Sequence, residues 1–275
     1  MNKRIIFLSL FIVLFSCKKE EYNIVNLNGS KIVALGHGGM GISSTYPMNS
    51  KESILNSLNI GMDGTEIDVQ MTKDGVLVAY HNLELSENTN LDGMINSKTW
   101  AELEGGFYIT TPYLQYSIVS LNQLFSGIKN LNEYQFVFDC KLYADNNKEI
   151  NEFYNDYISA MVDLIKKFKL QEKVYIESQN TDFLLLLKTK EPAYRLFIYP
   201  STFESGLETA LSLNLYGITI STRNITREQI KTAHSKGLFV AIWNTQSQKD
   251  NIEAINKNPD FIQTDKLKNL LKLLK

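Results

Sequence analysis

Two acids one residue apart, Glu66 and Asp68, lie in "TEIDVQMTKDGVLVAYHN", which turns at Lys73-Asp74-Gly75 and runs on to His81. A second histidine, His37, follows the apolar run in "VALGHGGMG". A third acid, Asp139, and Lys141 close "QFVFDCK". Side chains alternate along a strand, so Glu66 and Asp68 share one face, as do Asp139 and Lys141. Three carboxylates converging on one mouth repel each other when bare. A hard divalent cation, Ca2+ or Mg2+, relieves that repulsion through oxygen ligands. A metal with two histidines suits phosphoryl chemistry. The cation neutralises phosphate charge, one imidazole takes a proton and the other gives one. Lys141 adds a point charge for a phosphate oxygen.

These residues must be placed by strands. Eight apolar runs qualify: "KIVALGH", "GTEIDVQ", "QFVFDCK", "KVYIES", "YRLFIYP", "YGITIS", "LFVAIW" and "DFIQT". They are rich in β-branched and aromatic residues and nearly continuous in apolar character, as parallel strands buried on both faces are. Helical stretches such as "SKESILNSLNIG", "NEFYNDYISAMVDLIKKFK", "TREQIKTAHSKG" and "QKDNIEAINKN" separate most of them, and "DKLKNLLKLLK" closes the chain. This order predicts an α/β fold, a (β/α)8 TIM barrel over residues 31–275. Residues 82–117 lack a strong period and read as a small insertion after the second strand and its hairpin.

In such a barrel the active site lies at the C-terminal ends of the strands. The polar residues fall there: His37 on strand one, Glu66 and Asp68 on two, Asp139 and Lys141 on three, and Glu177 and Ser178 on four. Arg223 follows strand six and Trp243 ends strand seven. A carboxylate pair at one strand end is often only a solvated rim. Joint occurrence across three strands lifts these residues above that reading. Cys140 points to the helices and reads as core, His234 as helix surface, and Arg195 as a stabilising residue at the other end of the barrel. "GHGGMG" lacks the lysine and spacing of a phosphate loop.

The chain has 275 residues, 44% hydrophobic and 21% charged, which is ordinary for a globular domain. With 28 basic and 30 acidic residues and no basic patch, it has no nucleic-acid footprint. The start differs from the rest. "MNKR" is positive, "IIFLSLFIVLF" has signal-peptide length, and "SCKKEEYN" puts Cys17 ahead of a polar tail. This resembles a bacterial lipoprotein signal. It implies cleavage after residue 16, lipidation of Cys17, and a polar tether over 17–30. The expected location is the cell envelope, as a periplasmic or outer-membrane lipoprotein. With Cys17 lipidated, Cys140 has no partner for a disulfide. Losing Lys3 and Arg4 makes the mature chain more acidic, so membrane attachment would come from the lipid anchor.

Taken together, the motifs resemble those of the glycerophosphodiester phosphodiesterase family. The family's His-Arg-Gly, Pro-Glu-Asn, Glu-x-Asp-Val, Thr-x-Asp-Gly and His-Asp motifs correspond to five segments here. These are His37-Gly38-Gly39, Pro47-Met48-Asn49, Glu66-Ile67-Asp68-Val69, Thr72-Lys73-Asp74-Gly75 and His81-Asn82. Its Glu-x-Lys, Trp-Thr and Thr-Asp-Lys motifs correspond to Asp139-Cys140-Lys141, Trp243-Asn244 and Thr264-Asp265-Lys266. The resemblance spans about residues 31–275 and implies the barrel and the insertion. It implies His37 and His81 as the acid/base pair, and Glu66, Asp68 and Asp139 as ligands of one divalent cation. It also implies Lys141 as a phosphate contact and Trp243 as an apolar wall for the substrate. The implied reaction is hydrolysis of a glycerophosphodiester, begun by a neighbouring glycerol hydroxyl, to glycerol phosphate and an alcohol.

Two departures from the family pattern matter most. Its phosphate-gripping arginine is Gly38 here, and its turn glutamate is Met48. A charge-assisted hydrogen bond contributes about 1.5–3 kcal/mol, so the change is consequential. Arg223 is a candidate replacement for the arginine. The loss leaves two alternatives open. One is an impaired barrel acting as a lipid-anchored binding protein. The other is a phospholipase C- or D-like enzyme acting on intact lipid. A retaining glycosidase ranks low, because Glu66 and Asp68 come from one strand and such pairs flank a bond from opposite sides.

Overall fold

The computed structural model describes residues 22–110, 114–144 and 149–275. The expected leader 1–16 and Cys17 lie outside the described residues. Eight parallel strands close a barrel: β1 (Val33–Gly36), β2 (Gly64–Met71), β5 (Gln135–Cys140), β6 (Val174–Ser178), β7 (Arg195–Ile198), β8 (Gly217–Ser221), β9 (Phe239–Thr245) and β10 (Phe261–Thr264). Closure comes from β1, which pairs with β10 on one side and β2 on the other. These are the eight runs read from the sequence. The reason is visible in β2, where all eight residues are buried.

After β2 the chain turns at Gly75, whose φ of +83° suits a residue without a Cβ. It returns as β3 (Leu77–Ala79), antiparallel to β2, and β4 (Val119–Ser120) pairs with β3. Between β3 and β4 run the insertion's 3₁₀ turns and the short helix α2 (Trp100–Leu103). This segment has its own small core of Val78, Tyr80, Leu85, Ile95, Leu103, Tyr108, Tyr116 and Ile118. It forms a wall beside the barrel mouth.

The remaining helices cover the outside. They include α1 (Lys51–Asn59), α4 (Ile150–Phe168), α7 (Arg227–Ser235), α8 (Gln248–Lys257) and α9 (Leu267–Leu274). The α4 helix buries Phe153, Tyr157, Met161, Leu164 and Ile165, spaced at three to four residues, and ends on Lys169 in the left-handed region. Cys140 and Ile67 belong to this outer core, as strand alternation requires. No helix among the described residues is long and apolar enough to cross a membrane.

Inside the barrel the side chains grade from apolar to polar along β6 and β10. Tyr175, Phe197 and Phe261 cluster low, with Tyr175 and Phe261 ring centroids 4.9 Å apart. Two residues further up the same strands stand Glu177 on β6 and Gln263 on β10. Arg195 closes the floor, its guanidinium stacked 5.3 Å from the Tyr175 ring and paired with Glu172. Residues within the expected tether also dock on the floor. Val25 N–H donates to Asn258 Oδ1 at 2.7 Å and Leu27 N–H to Asp260 Oδ1 at 2.8 Å. The buried Asp260 carboxylate also accepts from His234 and from Val240 N–H, each at 2.8 Å. His234 is therefore a floor residue.

Candidate active site

Parallel register brings the acids together. Asp68 on β2 stands opposite Asp139 on β5, and Asp139 opposite Glu177 on β6. Glu66 lies two residues before Asp68 on the same face. One carboxylate oxygen from each of Glu66, Asp68 and Asp139 lies within 4.8 Å of the others. Their residues are only 2%, 2% and 7% exposed. Such density of buried charge requires cations or protons.

Part of the compensation is Lys141. Its ammonium lies 2.6 Å from Asp139 Oδ2 and 3.1 Å from Asp68 Oδ1. Burial would lower the lysine, but the two carboxylates outweigh it and hold the ammonium charged. Burial likewise opposes ionisation of Asp68, but Lys141, His81, the Asn49 amide and His37 hold its carboxyl below the usual range. Asn49 clamps Asp68 from both sides. Its Nδ2 donates to Asp68 Oδ2 at 2.6 Å, and its Oδ1 accepts Asp68 N–H at 3.0 Å.

The other acids are less well served. Burial, then the charges of Asp68, Asp139 and Glu177, push Glu66 well above the carboxylate range, against one bond from Gly38 N–H at 2.7 Å. Burial raises Asp139 as well, in spite of Lys141. Burial and the charge of Asp139 push Glu177 up to about 8. Thr219 Oγ1 at 2.6 Å and Gln263 Nε2 hold Glu177 in the barrel interior. Glu66 Oε1 and Asp139 Oδ1 accept no hydrogen bond among the described residues. An oxygen-lined site with spare lone pairs and excess negative charge fits a hard divalent cation.

His37 extends from the end of β1, where its N–H bonds to Thr264 O at 3.2 Å. Its Nδ1 meets Asp265 Oδ1 at 2.9 Å. Burial alone would lower His37, but the hydrogen bond and charge of Asp265 hold it above the usual histidine range. The Trp243 ring lies beside it at 6.4 Å, and Tyr199 stacks edge-on to Trp243 at 5.4 Å. His81 follows β3, is exposed, and has Nδ1 2.8 Å from Asn82 Oδ1. His37 and His81 line one open cleft of about 860 Å³, and both act electrostatically on the Asp68 carboxyl. Arg223 lies elsewhere: its side chain is exposed on the turn after β8, and it does not line the cleft. It makes no ion pair among the described residues.

The sequence reading placed no role on Asp265, Asn49 or Glu177. Asp265 had a signal, since it follows the strand that closes the barrel against the strand of His37. Glu177 had one too, in its place at the end of the fourth strand run. Asn49 had none beyond the Pro47-Met48-Asn49 motif, because its contact with Asp68 depends on the fold of the first loop.

Residues 40–269 match the model of the Glycerophosphoryl diester phosphodiesterase family. A glycerophosphodiester phosphodiesterase of Caldanaerobacter subterraneus is 24% identical over 249 residues, covering 89% of this chain and 98% of that protein. An Oleispira antarctica phosphodiesterase, solved in complex with the product sn-glycerol-3-phosphate, superposes with TM-score 0.75. Its identity is 21%, and the match covers 87% of this chain and 95% of that one. A glycerophosphodiester phosphodiesterase from Parabacteroides distasonis gives TM-score 0.74 at 22% identity, covering 88% and 96%. The barrel is therefore a shared fold, and the family match adds the chemistry. The chain belongs to the glycerophosphoryl diester phosphodiesterase family, a family of phosphoric diester hydrolases.

Proposed function

We propose that the protein hydrolyses glycerophosphodiesters, or a related phosphodiester, to glycerol phosphate and an alcohol, with His37 and His81 as the acid/base pair. The observation that carries this is the meeting of two histidines and three buried carboxylates at one mouth. The product held by the Oleispira phosphodiesterase supports glycerol phosphate as one product.

Glu66, Asp68 and Asp139 would hold one divalent cation, Ca2+ or Mg2+, which when bound neutralises phosphate charge. Lys141 and Asn49 keep Asp68 ionised and oriented for that task. Lys141 also adds positive charge near the phosphate. Asp265 accepts from His37 Nδ1–H, which leaves Nε2 as the atom that exchanges a proton with substrate. With its pKa held above the usual range by Asp265, His37 favours its protonated form and gives that proton to the departing alcohol oxygen. His81 takes the proton from the attacking hydroxyl. Trp243 bounds the site beside His37 as an apolar wall for the glycerol part.

The anchor and location belong to the same proposal. Lipidation at Cys17 places the enzyme on an envelope membrane, where diester headgroups are released. What supports it is the positive start, the short apolar run and the placement of the cysteine.

The deciding assay is hydrolysis of glycerophosphocholine and bis-p-nitrophenyl phosphate, with and without Ca2+ or Mg2+, for wild type and His37→Ala. Metal-dependent turnover lost in the variant is the expected result. No turnover on any diester supports the second reading, a binding protein, which the replacement of the family arginine by Gly38 favours.

A further inference from the structure

The cleft lined by His37 and His81 is larger and less polar than a small charged headgroup requires. Among the described residues, no aspartate, glutamate, lysine or arginine lines it. Its broad walls include Tyr46, Pro47 and Met48 from the first loop and Tyr80, Tyr108 and Tyr116 around β3 and the insertion. The uncharged polar residues Ser44, Thr45, Asn82, Asn88 and Thr110 lie between them. Ile42 and Leu114 line it and are 53% and 62% exposed, which adds apolar surface at its mouth. Leu83 and Ile109, also exposed, are chain neighbours of the lining residues Asn82 and Thr110. Exposed apolar residues scattered singly have no meaning, but those around one concave wall mark a binding surface.

Met48 falls in this wall, and Gly38 is buried behind it. Gly38 lies in the left-handed region, φ +52°, and a Cβ built there would stand 2.6 Å from Met48 Cε and 3.0 Å from Met48 Cβ. Met48 therefore fills the space into which a longer side chain at 38 would extend. One exchange removes a cation and an acid and leaves a thioether facing the cleft. A flexible, polarisable side chain packs well against irregular apolar ligands.

We propose that the Met48 cleft is a subsite for an apolar, uncharged alcohol of the phosphodiester, an alkyl or aryl group of about six carbons or more. This assignment rests on the phosphodiesterase reading above. Hydrolysis consumes one water. The bond from phosphorus to the apolar alcohol's oxygen breaks, that alcohol leaves with a proton, and glycerol phosphate retains the oxygen of the water. A cationic alcohol finds no carboxylate among the described residues that line the cleft. An apolar one leaves water for Ile42, Met48 and the tyrosines.

The test is kcat/KM on sn-glycerol-3-phosphate esters of ethanol, butanol, hexanol, phenol, ethanolamine and choline, all at monomeric concentrations. Each buried methylene is expected to raise kcat/KM roughly fourfold from ethyl to hexyl. Ethanolamine and choline esters fall below butyl. Met48→Glu flattens the series, and Ile42→Ser, at an exposed rim position, reduces its slope without a folding defect. Turnover with no dependence on alkyl length, or with a preference for choline, overturns the subsite and leaves the phosphodiesterase reading intact. A rise seen only above the micelle threshold, or only on vesicles, overturns it as well and makes the rim a lipid contact. Absence of turnover on every ester removes both. Calorimetric binding of hexyl phosphate against ethyl phosphate gives a readout independent of turnover, and equal affinities count against the subsite.

Discussion

Asp265 Oδ1 lies 2.9 Å from His37 Nδ1 and also accepts Ile42 N–H at 3.0 Å. One carboxylate thus orients the histidine and ties down the loop that follows it. Its Oδ2 is buried without a partner, so the carboxylate is committed to these two bonds. Asp265 raises the pKa of His37, and a proton donor must be protonated to act. Asp265→Asn removes that charge, lowers the His37 pKa and moves the alkaline limb of kcat/KM to lower pH. The same pH profile in the variant and wild type would show that Asp265 only packs. His37→Ala should lose roughly 10²–10⁴ in kcat, as for a missing general acid.

A second prediction concerns the cation. Glu66 and Glu177 have folded pKa values above their unfolded ones, so the native state without metal binds extra protons. Stability from Glu177 is lost as pH rises from the ordinary carboxylate value to about 8, and that from Glu66 as pH rises above the ordinary carboxylate range. Divalent cation at a hundredfold excess over Kd adds about 2.7 kcal/mol of stability. The rise in Tm it causes should therefore be larger at pH 8 than at pH 5. Asp139→Asn should abolish most of it, while a pH-independent rise would place the cation elsewhere.

The contact between positions 38 and 48 gives a third. Gly38→Arg alone must displace Met48 and should destabilise the fold by about 1–3 kcal/mol. Adding Met48→Glu removes the closest of these contacts, that with Met48 Cε, and supplies an ionic partner. Urea melts of the two single variants and the double variant should show a favourable coupling. Strict additivity would mean that the two sites do not interact.

Membrane attachment is the fourth. Cys17→Ser should move the protein from the membrane pellet to the soluble fraction and abolish incorporation of labelled fatty acid. Retention in the pellet would refute lipidation at Cys17.

All eight barrel strands were legible because they are short, apolar and separated by helices. The face of each acid was legible too, since alternation puts Glu66 with Asp68 and Asp139 with Lys141. What alternation cannot show is who stands across a register or at the end of a loop. Asp265 approaches His37 only when β10 closes on β1, and Asn49 reaches Asp68 only once the first loop folds over the mouth. Arg223 illustrates the converse. Strand order put it at the catalytic end, but its turn after β8 leaves the side chain in solvent.

The docking of Val25 and Leu27 on the barrel floor has a consequence for orientation. From Cys17 to Val25 the chain can extend at most roughly 28 Å. Were Cys17 embedded in a bilayer, this leash would draw the Asp260 end toward the lipid and turn the opening with the two imidazoles outward. Diesters would then arrive from the surrounding fluid, and the enzyme would graze on what diffuses past its own membrane rather than on the leaflet beneath it.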